Sequence, residues 1–256
     1  MPLEKIFRPG KPAFIPYIMA GDPDIATTRA VAAALTRAGA AAIELGVPYG
    51  DPLADGPTIA AAGMRALQAG TRIAGVLSLA GQLRTDGCAP LILFTYFNPV
   101  FQYGIDRFAR EAATAGVAGV IVPDIALEEG DDLRAALTAH GIDVPLLVAP
   151  STSRERAARI CANSTGFVYV VSRLGVTGSG AAPDFAPLRA QIAMLRELTG
   201  KPLAVGFGVS NAGHVREVAP SVDGIIVGSA LIDAYFGHAG KEAADRVEAF
   251  VRKLSL

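Results

Sequence analysis

The chain has 256 residues, 51% of them hydrophobic, and its 23 Lys and Arg residues nearly balance its 24 Asp and Glu residues, which leaves a formal net charge of −1. Because both signs are interspersed, the composition excludes a basic stripe for nucleic acid and a polybasic patch for a membrane surface. The sequence has neither a secretion signal nor an apolar run of about 18 residues, so it predicts a soluble cytoplasmic protein.

Apolar segments of strand length recur along the whole chain. They cover residues 14–20, 41–47, 91–96, 117–122, 144–149, 167–172, 203–207 and 224–228. Their nearly continuous hydrophobicity, without strict alternation, is typical of parallel strands that are covered on both faces. The sequence therefore predicts an α/β fold with eight parallel strands.

Helical patterns alternate with these strands. Apolar residues recur at helical spacing over residues 28–38, 105–115, 128–139, 153–162, 185–199 and 212–218. Capping residues open three of them, namely Asp106, Ser153 and the pair Ser210-Asn211. The repeat of about 30 residues is that of a βαβ unit, and no linker divides the chain. We therefore predict one catalytic domain over residues 1–256, a single (β/α)8 TIM barrel with extra short helices.

An open, doubly wound sheet is the alternative fold. That fold would place a glycine-rich dinucleotide fingerprint directly after the first strand. Residues 20–24 read Ala-Gly-Asp-Pro-Asp instead, which is not a G-x-G-x-x-G sequence. The sequence therefore favours the barrel.

Cysteines and histidines are few and scattered. Cys88 and Cys161 lie far apart and are expected to be reduced thiols. His140, His214 and His238 show no ligand spacing, so no metal site is predicted.

The second predicted strand carries a carboxylate within an apolar run. Glu44 stands in residues 41–47, Ala-Ala-Ile-Glu-Leu-Gly-Val. An ionised carboxylate is costly to bury unless it is paired, faces water or keeps its proton. The strand period places Glu44 on one face with Gly46 and Pro48, which would point into the barrel mouth. Two interpretations stay open: a structural Glu paired to an Arg or to backbone amides, or a catalytic acid.

Asp55 follows in the polar loop after this strand, directly before Gly56 and Pro57. An Asp at this place can cap the next helix, with Pro57 in its first turn. Considered alone, Asp55 is better interpreted as a helix cap than as a catalytic residue.

Glycines follow the last three strands. They stand in residues 172–180, in Gly206-Phe207-Gly208 and in Gly228-Ser229. Barrels commonly bind phosphate after strands seven and eight, through backbone amides and a helix N-terminus. We predict a phosphate site at this corner, held by amides and hydroxyls because no Lys is near. The alternative for residues 172–180 is a flexible surface linker.

Aromatic residues near the predicted strand ends could line a pocket. They are Phe14, Tyr17, Tyr96, Phe101, Tyr169 and Phe207. An aromatic residue on a strand is more often part of the core. We predict a lining role only for Tyr17, Tyr169 and Phe207.

Two segments carry a specific resemblance. Residues 44–57, Glu-Leu-Gly-Val-Pro-Tyr-Gly-Asp-Pro-Leu-Ala-Asp-Gly-Pro, and residues 172–178, Ser-Arg-Leu-Gly-Val-Thr-Gly, resemble the tryptophan synthase alpha chain family. Further matches follow in family order at residues 14–17, 21–23, 96–100, 122–124, 206–210 and 227–230. The resemblance thus covers nearly the full length.

The resemblance implies a lyase that cleaves indole-3-glycerol phosphate to indole and glyceraldehyde 3-phosphate by a retro-aldol step. It implies that Glu44 is the general acid and base and that Asp55 accepts the indole N–H. These roles suit a Glu whose pKa is raised by an apolar wall and a more solvated Asp that stays charged.

The remaining implied residues bind phosphate or move. The resemblance places the phosphate at Gly178, Gly208, Gly228 and Ser229. The implied mobile loops are residues 48–55 and 173–180, and Arg173 and Thr177 belong to the second of these.

The resemblance also implies a partner. This would be a beta chain that contains pyridoxal phosphate and receives indole through a tunnel, in an αββα heterotetramer. The chain itself would need no cofactor. Alternatives are a stand-alone lyase, another phosphate-binding barrel isomerase, which would not need Glu44 and Asp55, and a non-catalytic activating subunit.

Overall fold

The computed structural model describes residues 1–172, 185–206 and 209–254, which form a parallel sheet surrounded by helices. The strands are β1 (Ala13–Met19), β2 (Ile43–Gly46), β3 (Leu91–Phe94), β4 (Gly119–Ile121), β5 (Leu146–Val148), β6 (Val168–Val171), β7 (Leu203–Gly206) and β8 (Gly224–Val227). All eight predicted strands are present. Most are shorter than their apolar runs, because flanking residues such as Val117 and Ala118 are buried outside the ladder.

Eleven α-helices lie in the described part of the chain. They are α1 (Ile25–Arg37), α2 (Pro57–Gln68), α3 (Ile73–Thr85), α4 (Phe97–Tyr103), α5 (Ile105–Thr114), α6 (Asp131–Ala139), α7 (Arg154–Asn163), α8 (Ala186–Leu198), α9 (Ala212–Val218), α10 (Ser229–Tyr235) and α11 (Gly240–Leu254). All six predicted helices are present, and α2, α3, α4, α10 and α11 are additional. Only two of these five, α4 and α10, are short, with seven residues each, since α2, α3 and α11 have 12, 13 and 15 residues.

Two of the three predicted helix caps are confirmed. The Ser153 side chain accepts a hydrogen bond from the backbone N–H of Arg156, and the Asn211 side chain accepts one from the N–H of His214. The prediction for Asp106 is wrong, because α5 begins one residue earlier, at Ile105, with Gly104 as its N-cap. Asp106 lies in the first turn, where its charge still suits the helix dipole.

The eight strands form a nearly closed barrel. Their order is β4-β3-β2-β1-β8-β7-β6-β5, and every neighbouring pair is parallel. An isolated parallel bridge between Gly119 and Asp143 joins the two ends of this order, before β5 begins. Since all strands run in one direction, their carboxyl ends meet at one opening, which we call the mouth. The predicted TIM barrel is confirmed.

Leu3 closes the opposite end of the barrel, which we call the floor. Its side chain is fully buried, and its backbone N–H donates to Asp143 Oδ2 at 2.6 Å. A Cβ added to Gly119 or Gly166 would lie 2.5 or 2.9 Å from the Leu3 side chain. Gly166 also has φ +74°, a backbone conformation that glycine adopts without strain. Glycines at these two positions therefore make room for the floor residue.

No helix in residues 1–172, 185–206 or 209–254 is long and apolar enough to span a bilayer. The two cysteines are free thiols, with Cys161 buried and Cys88 half-buried. The apolar side chains of the described strands and helices form one continuous core cluster.

Lys201 precedes β7 on the floor side, far from the predicted phosphate corner. Its Nζ donates to the backbone carbonyls of Cys161, Ala162 and Ser164, at 2.7, 3.2 and 2.6 Å, and so satisfies the C-terminal end of α7.

Lys201→Met is expected to lower the free energy of unfolding by about 1–3 kcal/mol, because three hydrogen bonds from a charged donor are lost. Urea titration followed by circular dichroism measures the change. Lys11→Met, at an exposed lysine, is the control and should change stability little. Equal stabilities of the two variants would contradict this structural role.

Candidate active site

Glu44 lies in the middle of the barrel on β2 and is 1% exposed. Its register partners are Tyr17 on β1 and Ile92 on β3. Within the described ranges, no charged group acts on Glu44, and its Oε1 atom has no hydrogen-bond partner. A buried acceptor without a partner is rare and costly. The described residues therefore do not form the paired structural Glu that was the first interpretation.

Burial alone raises the pKa of the Glu44 carboxyl to about 8. The group consequently keeps its proton at neutral pH, in a place where a bound molecule can take it. A protonated carboxyl group whose pKa lies close to the working pH is well suited to general acid catalysis.

Asp55 belongs to the loop between β2 and α2 and lines the same pocket. The residue at the N-cap of α2 is Gly56, and the helix has no side-chain cap, although Pro57 does occupy its first turn. The Asp55 carboxylate instead accepts a hydrogen bond from the Tyr96 hydroxyl. The interpretation of Asp55 as a helix cap is therefore wrong.

Burial raises the pKa of Asp55 to about 6, and the hydrogen bond from Tyr96 acts in the opposite direction. Asp55 is thus less solvated than we expected from the sequence. At neutral pH most of its carboxyl is still ionised. Between the two pKa values, Glu44 holds a proton while Asp55 carries a charge, which is the division of roles that acid catalysis beside a developing cation requires.

Inside the barrel, two tyrosine side chains occupy the space beside glycines of the neighbouring strands. A Cβ added to Gly46 would lie 2.1 Å from the Tyr17 hydroxyl, and a Cβ added to Gly206 would lie 2.0 Å from the Tyr169 hydroxyl. Both tyrosines are buried, and burial together with Glu44 and Asp55 raises their pKa well above the usual range. Their hydroxyls therefore remain protonated beside the two carboxyl groups.

One pocket at the mouth brings most of the described candidate residues together. Its volume is about 460 Å³ with the open entrance included. The sequence-predicted residues that line it are Tyr17, Glu44, Asp55, Tyr169, Gly228 and Ser229. Ile59, Phe94, Val209 and Ile226 also line it. Sequence reasoning missed these four, since nothing separates them from ordinary core residues.

The eighth strand supplies one end of this pocket. Gly228 is the residue before α10, and Ser229 is its first residue. The first amides of a helix have no partner within the helix, so they can donate to an anion. Gly228 and Ser229 thus meet the requirements of the predicted phosphate end.

Five predicted site residues lie outside the described residues. They are Arg173, Thr177, Gly178, Phe207 and Gly208. In the described part of the chain, no group of three or more His, Cys, Asp or Glu side chains could hold a metal ion.

Comparison with known proteins gives consistent matches over almost the whole chain. The family model described as tryptophan synthase alpha chain matches residues 3–255. The tryptophan synthase alpha chain of Gloeobacter violaceus is 47% identical over 243 residues, which are 94% of this chain and 88% of that protein. The one from Synechocystis is 46% identical, covering 96% of this chain and 93% of that protein.

Solved structures agree with these matches. A structure of Mycobacterium tuberculosis tryptophan synthase superposes with a TM-score of 0.87 and 37% identity, and the match covers 96% of this chain and 91% of that chain. A mutant tryptophan synthase alpha subunit from Pyrococcus furiosus gives a TM-score of 0.87 with 34% identity, over 97% of this chain and 99% of that chain.

Proposed function

This chain belongs to the tryptophan synthase alpha chain family, and from that premise we propose how its residues divide the work of the reaction. The enzyme is a lyase of tryptophan biosynthesis that cleaves indole-3-glycerol phosphate to indole and glyceraldehyde 3-phosphate by a retro-aldol step. A phosphate-binding isomerase is not favoured. The observation that carries the proposal is the buried Glu44 carboxyl, whose Oε1 atom has no hydrogen-bond partner among the described residues and which shares one pocket with Asp55.

Glu44 is the general acid and base. Its proton goes to C3 of the indole ring, which becomes tetrahedral and leaves a positive charge on the ring nitrogen. The resulting carboxylate then takes the proton of the glycerol hydroxyl next to the breaking C–C bond, whose electron pair returns to the ring. Glu44 ends the cycle protonated, so no other proton source is needed. Its raised pKa supports both halves of this exchange.

Asp55 accepts the indole N–H and stabilises the positive charge that develops on the ring. A carboxylate placed where a cation forms stabilises the transition state more than the ground state. Tyr17, Tyr169 and Phe207 line the indole end of the pocket. The position of Tyr17 and Tyr169 beside Glu44 and Asp55 supports this assignment.

The phosphate group binds at Gly228 and Ser229, together with Gly178 and Gly208. The loop containing Arg173 and Thr177 closes over the substrate and excludes water. The start of α10 in the pocket supports the phosphate assignment.

Residues 1–256 act as one catalytic domain in the cytoplasm. This chain needs no cofactor, and pyridoxal phosphate belongs to the beta chain with which it assembles as an αββα heterotetramer. The single core cluster supports the domain assignment, and the free thiols Cys88 and Cys161 are compatible with a reducing compartment.

The partner beta chain docks at the mouth. Two large apolar side chains are exposed on this side: Leu53, in the loop that carries Asp55, is 76% exposed, and Phe101, on α4, is 59% exposed. Contiguous exposed apolar surface is typical of protein–protein interaction sites. Indole released in the pocket would leave toward the chain that consumes it.

Mixing this chain with a tryptophan synthase beta chain is expected to raise the cleavage rate several-fold and to yield a larger species on a sizing column. Leu53→Asp should weaken both effects, because it places a charge in the docking surface. Met64→Asp is the control, since Met64 is an exposed apolar residue further along α2. An unchanged rate with two separate species would favour a stand-alone lyase.

A further inference from the structure

Tyr96 is a buried tyrosine between the active site and the loop that carries Asp55. It follows β3 by two residues and is the N-cap residue of α4, which fixes its backbone at the barrel mouth. Its side chain is 2% exposed. The proposed mechanism assigns it no role.

The Tyr96 hydroxyl forms two hydrogen bonds, both to this loop. The backbone N–H of Ala54 donates to it at 3.0 Å, and the hydroxyl donates to the Asp55 carboxylate. An oxygen that accepts from the Ala54 N–H keeps its own proton to donate, and the Asp55 carboxylate is the acceptor of that proton. A hydrogen bond from the hydroxyl favours the ionised form of this acceptor.

Further contacts hold the Tyr96 ring. Its centroid lies 5.3 Å from that of Tyr49, which begins the same loop, and the Asn98 side chain donates to the Tyr49 hydroxyl at 3.2 Å. The loop therefore contacts Tyr96 near its beginning, at Tyr49, and near its end, at Ala54 and Asp55. A side chain held at both places can transmit the rigid position of β3 to an otherwise irregular segment.

Asp55 shares its surroundings with titratable groups from three strands and from the segment after β3. They are Tyr17 from β1, Glu44 from β2, Tyr96 after β3 and Tyr169 from β6, and Asp124 after β4 acts on Tyr96. Glu44 is protonated at neutral pH and the tyrosines are neutral, so no cation among these groups favours the ionised form of Asp55. The hydrogen bond from Tyr96 opposes the effect of burial on Asp55.

We infer that Tyr96 is a positioning residue, whose hydroxyl holds the Asp55 carboxylate as an anion at the indole end of the pocket. This inference rests on the role proposed for Asp55. Tyr96 donates no proton to the substrate and takes none. It acts by keeping the charge of Asp55 in place before the positive charge develops on the ring.

The test compares Tyr96→Phe with Tyr103→Phe over the pH range 5 to 9, with indole-3-glycerol phosphate as substrate. Tyr96→Phe keeps the ring that contacts Tyr49 and removes the hydroxyl. Tyr103→Phe is the matched control, because the Tyr103 hydroxyl also donates to a carboxylate, that of Glu111, on the surface helices α4 and α5. Thermal unfolding of both variants reports on their folding.

Tyr96→Phe is expected to move the acid limb of the kcat/KM profile upward by about one pH unit, since a hydrogen bond to a charged group contributes about that much. The loss should be about tenfold at pH 5 and should become small at pH 8, where Asp55 is ionised without help. Tyr103→Phe should leave the profile unchanged.

The inference would be overturned if the acid limb of Tyr96→Phe stayed at the same pH as that of the wild type. It would also be overturned if Tyr96→Phe lost activity equally at every pH, because a folding defect alone lowers activity uniformly. Asp55→Asn separates this result from a failure of the proposed function. If Asp55→Asn cleaves the substrate normally, the role of Asp55 is wrong. If Asp55→Asn is impaired while the Tyr96→Phe profile is unmoved, only the role of Tyr96 is wrong.

Discussion

Replacing Glu44 by Gln is expected to lower kcat for the cleavage of indole-3-glycerol phosphate by about 10³-fold or more. Gln has nearly the volume and shape of Glu but cannot donate and take back the proton on which both halves of the reaction depend. The unpartnered Oε1 of Glu44 identifies this carboxyl as the group available for that exchange. Steady-state indole release measures the effect.

Binding is expected to survive this substitution. Glycerol 3-phosphate, which occupies only the phosphate end, should bind to Glu44→Gln within about threefold of its wild-type affinity, since that end is built by other residues. Glu129→Gln, at an exposed glutamate, is the control. Substantial turnover by Glu44→Gln would exclude Glu44 as the acid and base.

The wild-type activity should also fall above about pH 8. Glu44 has a raised pKa, so the protonated form that must donate to the ring is lost as the pH rises through about 8.

Asp55→Asn is expected to lower kcat/KM by about 10²-fold, because a neutral amide cannot offset the positive charge that develops on the indole ring. The substitution should also remove the acid limb of the pH profile. In the wild type, activity falls as the pH drops through about 6, where Asp55 becomes protonated. With Asn at this position the residual activity should stay level there.

Asp51→Asn is the matched control for this experiment. Asp51 is exposed and lies four residues before Asp55 in the same loop, so its loss changes the loop charge without touching the pocket. Initial rates of indole formation between pH 5 and 9 provide the comparison. If both variants lose activity equally, the effect comes from the loop as a whole and the charge of Asp55 is not the cause.

The barrel was predictable because parallel strands covered on both faces leave continuous apolar runs in the sequence. Helices α3 and α11 were not predicted, for different reasons. Helix α3 follows α2 after only four residues, where strand and helix alternation would place a strand. Helix α11 follows the last strand and α10, so no later strand marked it as a connection.

The two carboxylates differ in how much the sequence could disclose. Glu44 stands out because its neighbours in the chain are apolar, so the local sequence alone indicates a carboxylate in a buried strand. Asp55 stands in a polar loop, where its neighbours suggest a cap. Its actual partner is the Tyr96 hydroxyl, which also meets Ala54, 42 positions away in sequence. The contact forms because β2 pairs with β3, which follows it in the chain only after helices α2 and α3.

The tyrosine and glycine pairs show a similar limit. Gly46 and Gly206 look like ordinary strand-end glycines, and the sequence does not indicate that each must leave room for a tyrosine from the adjacent strand. The requirement arises from the space available inside a narrow barrel, which depends on all the strands at once.

The seating of Leu3 in the barrel floor also constrains the order of events during synthesis. Its N–H meets the Asp143 carboxylate, which the ribosome adds 140 residues later, and Gly166 follows later still. At a synthesis rate of about 5–20 residues per second, many seconds pass between the synthesis of Leu3 and that of Asp143. During that time a buried leucine of the finished enzyme is exposed on the nascent chain. Leu3 thus reaches its final position only after more than half of the barrel has been translated.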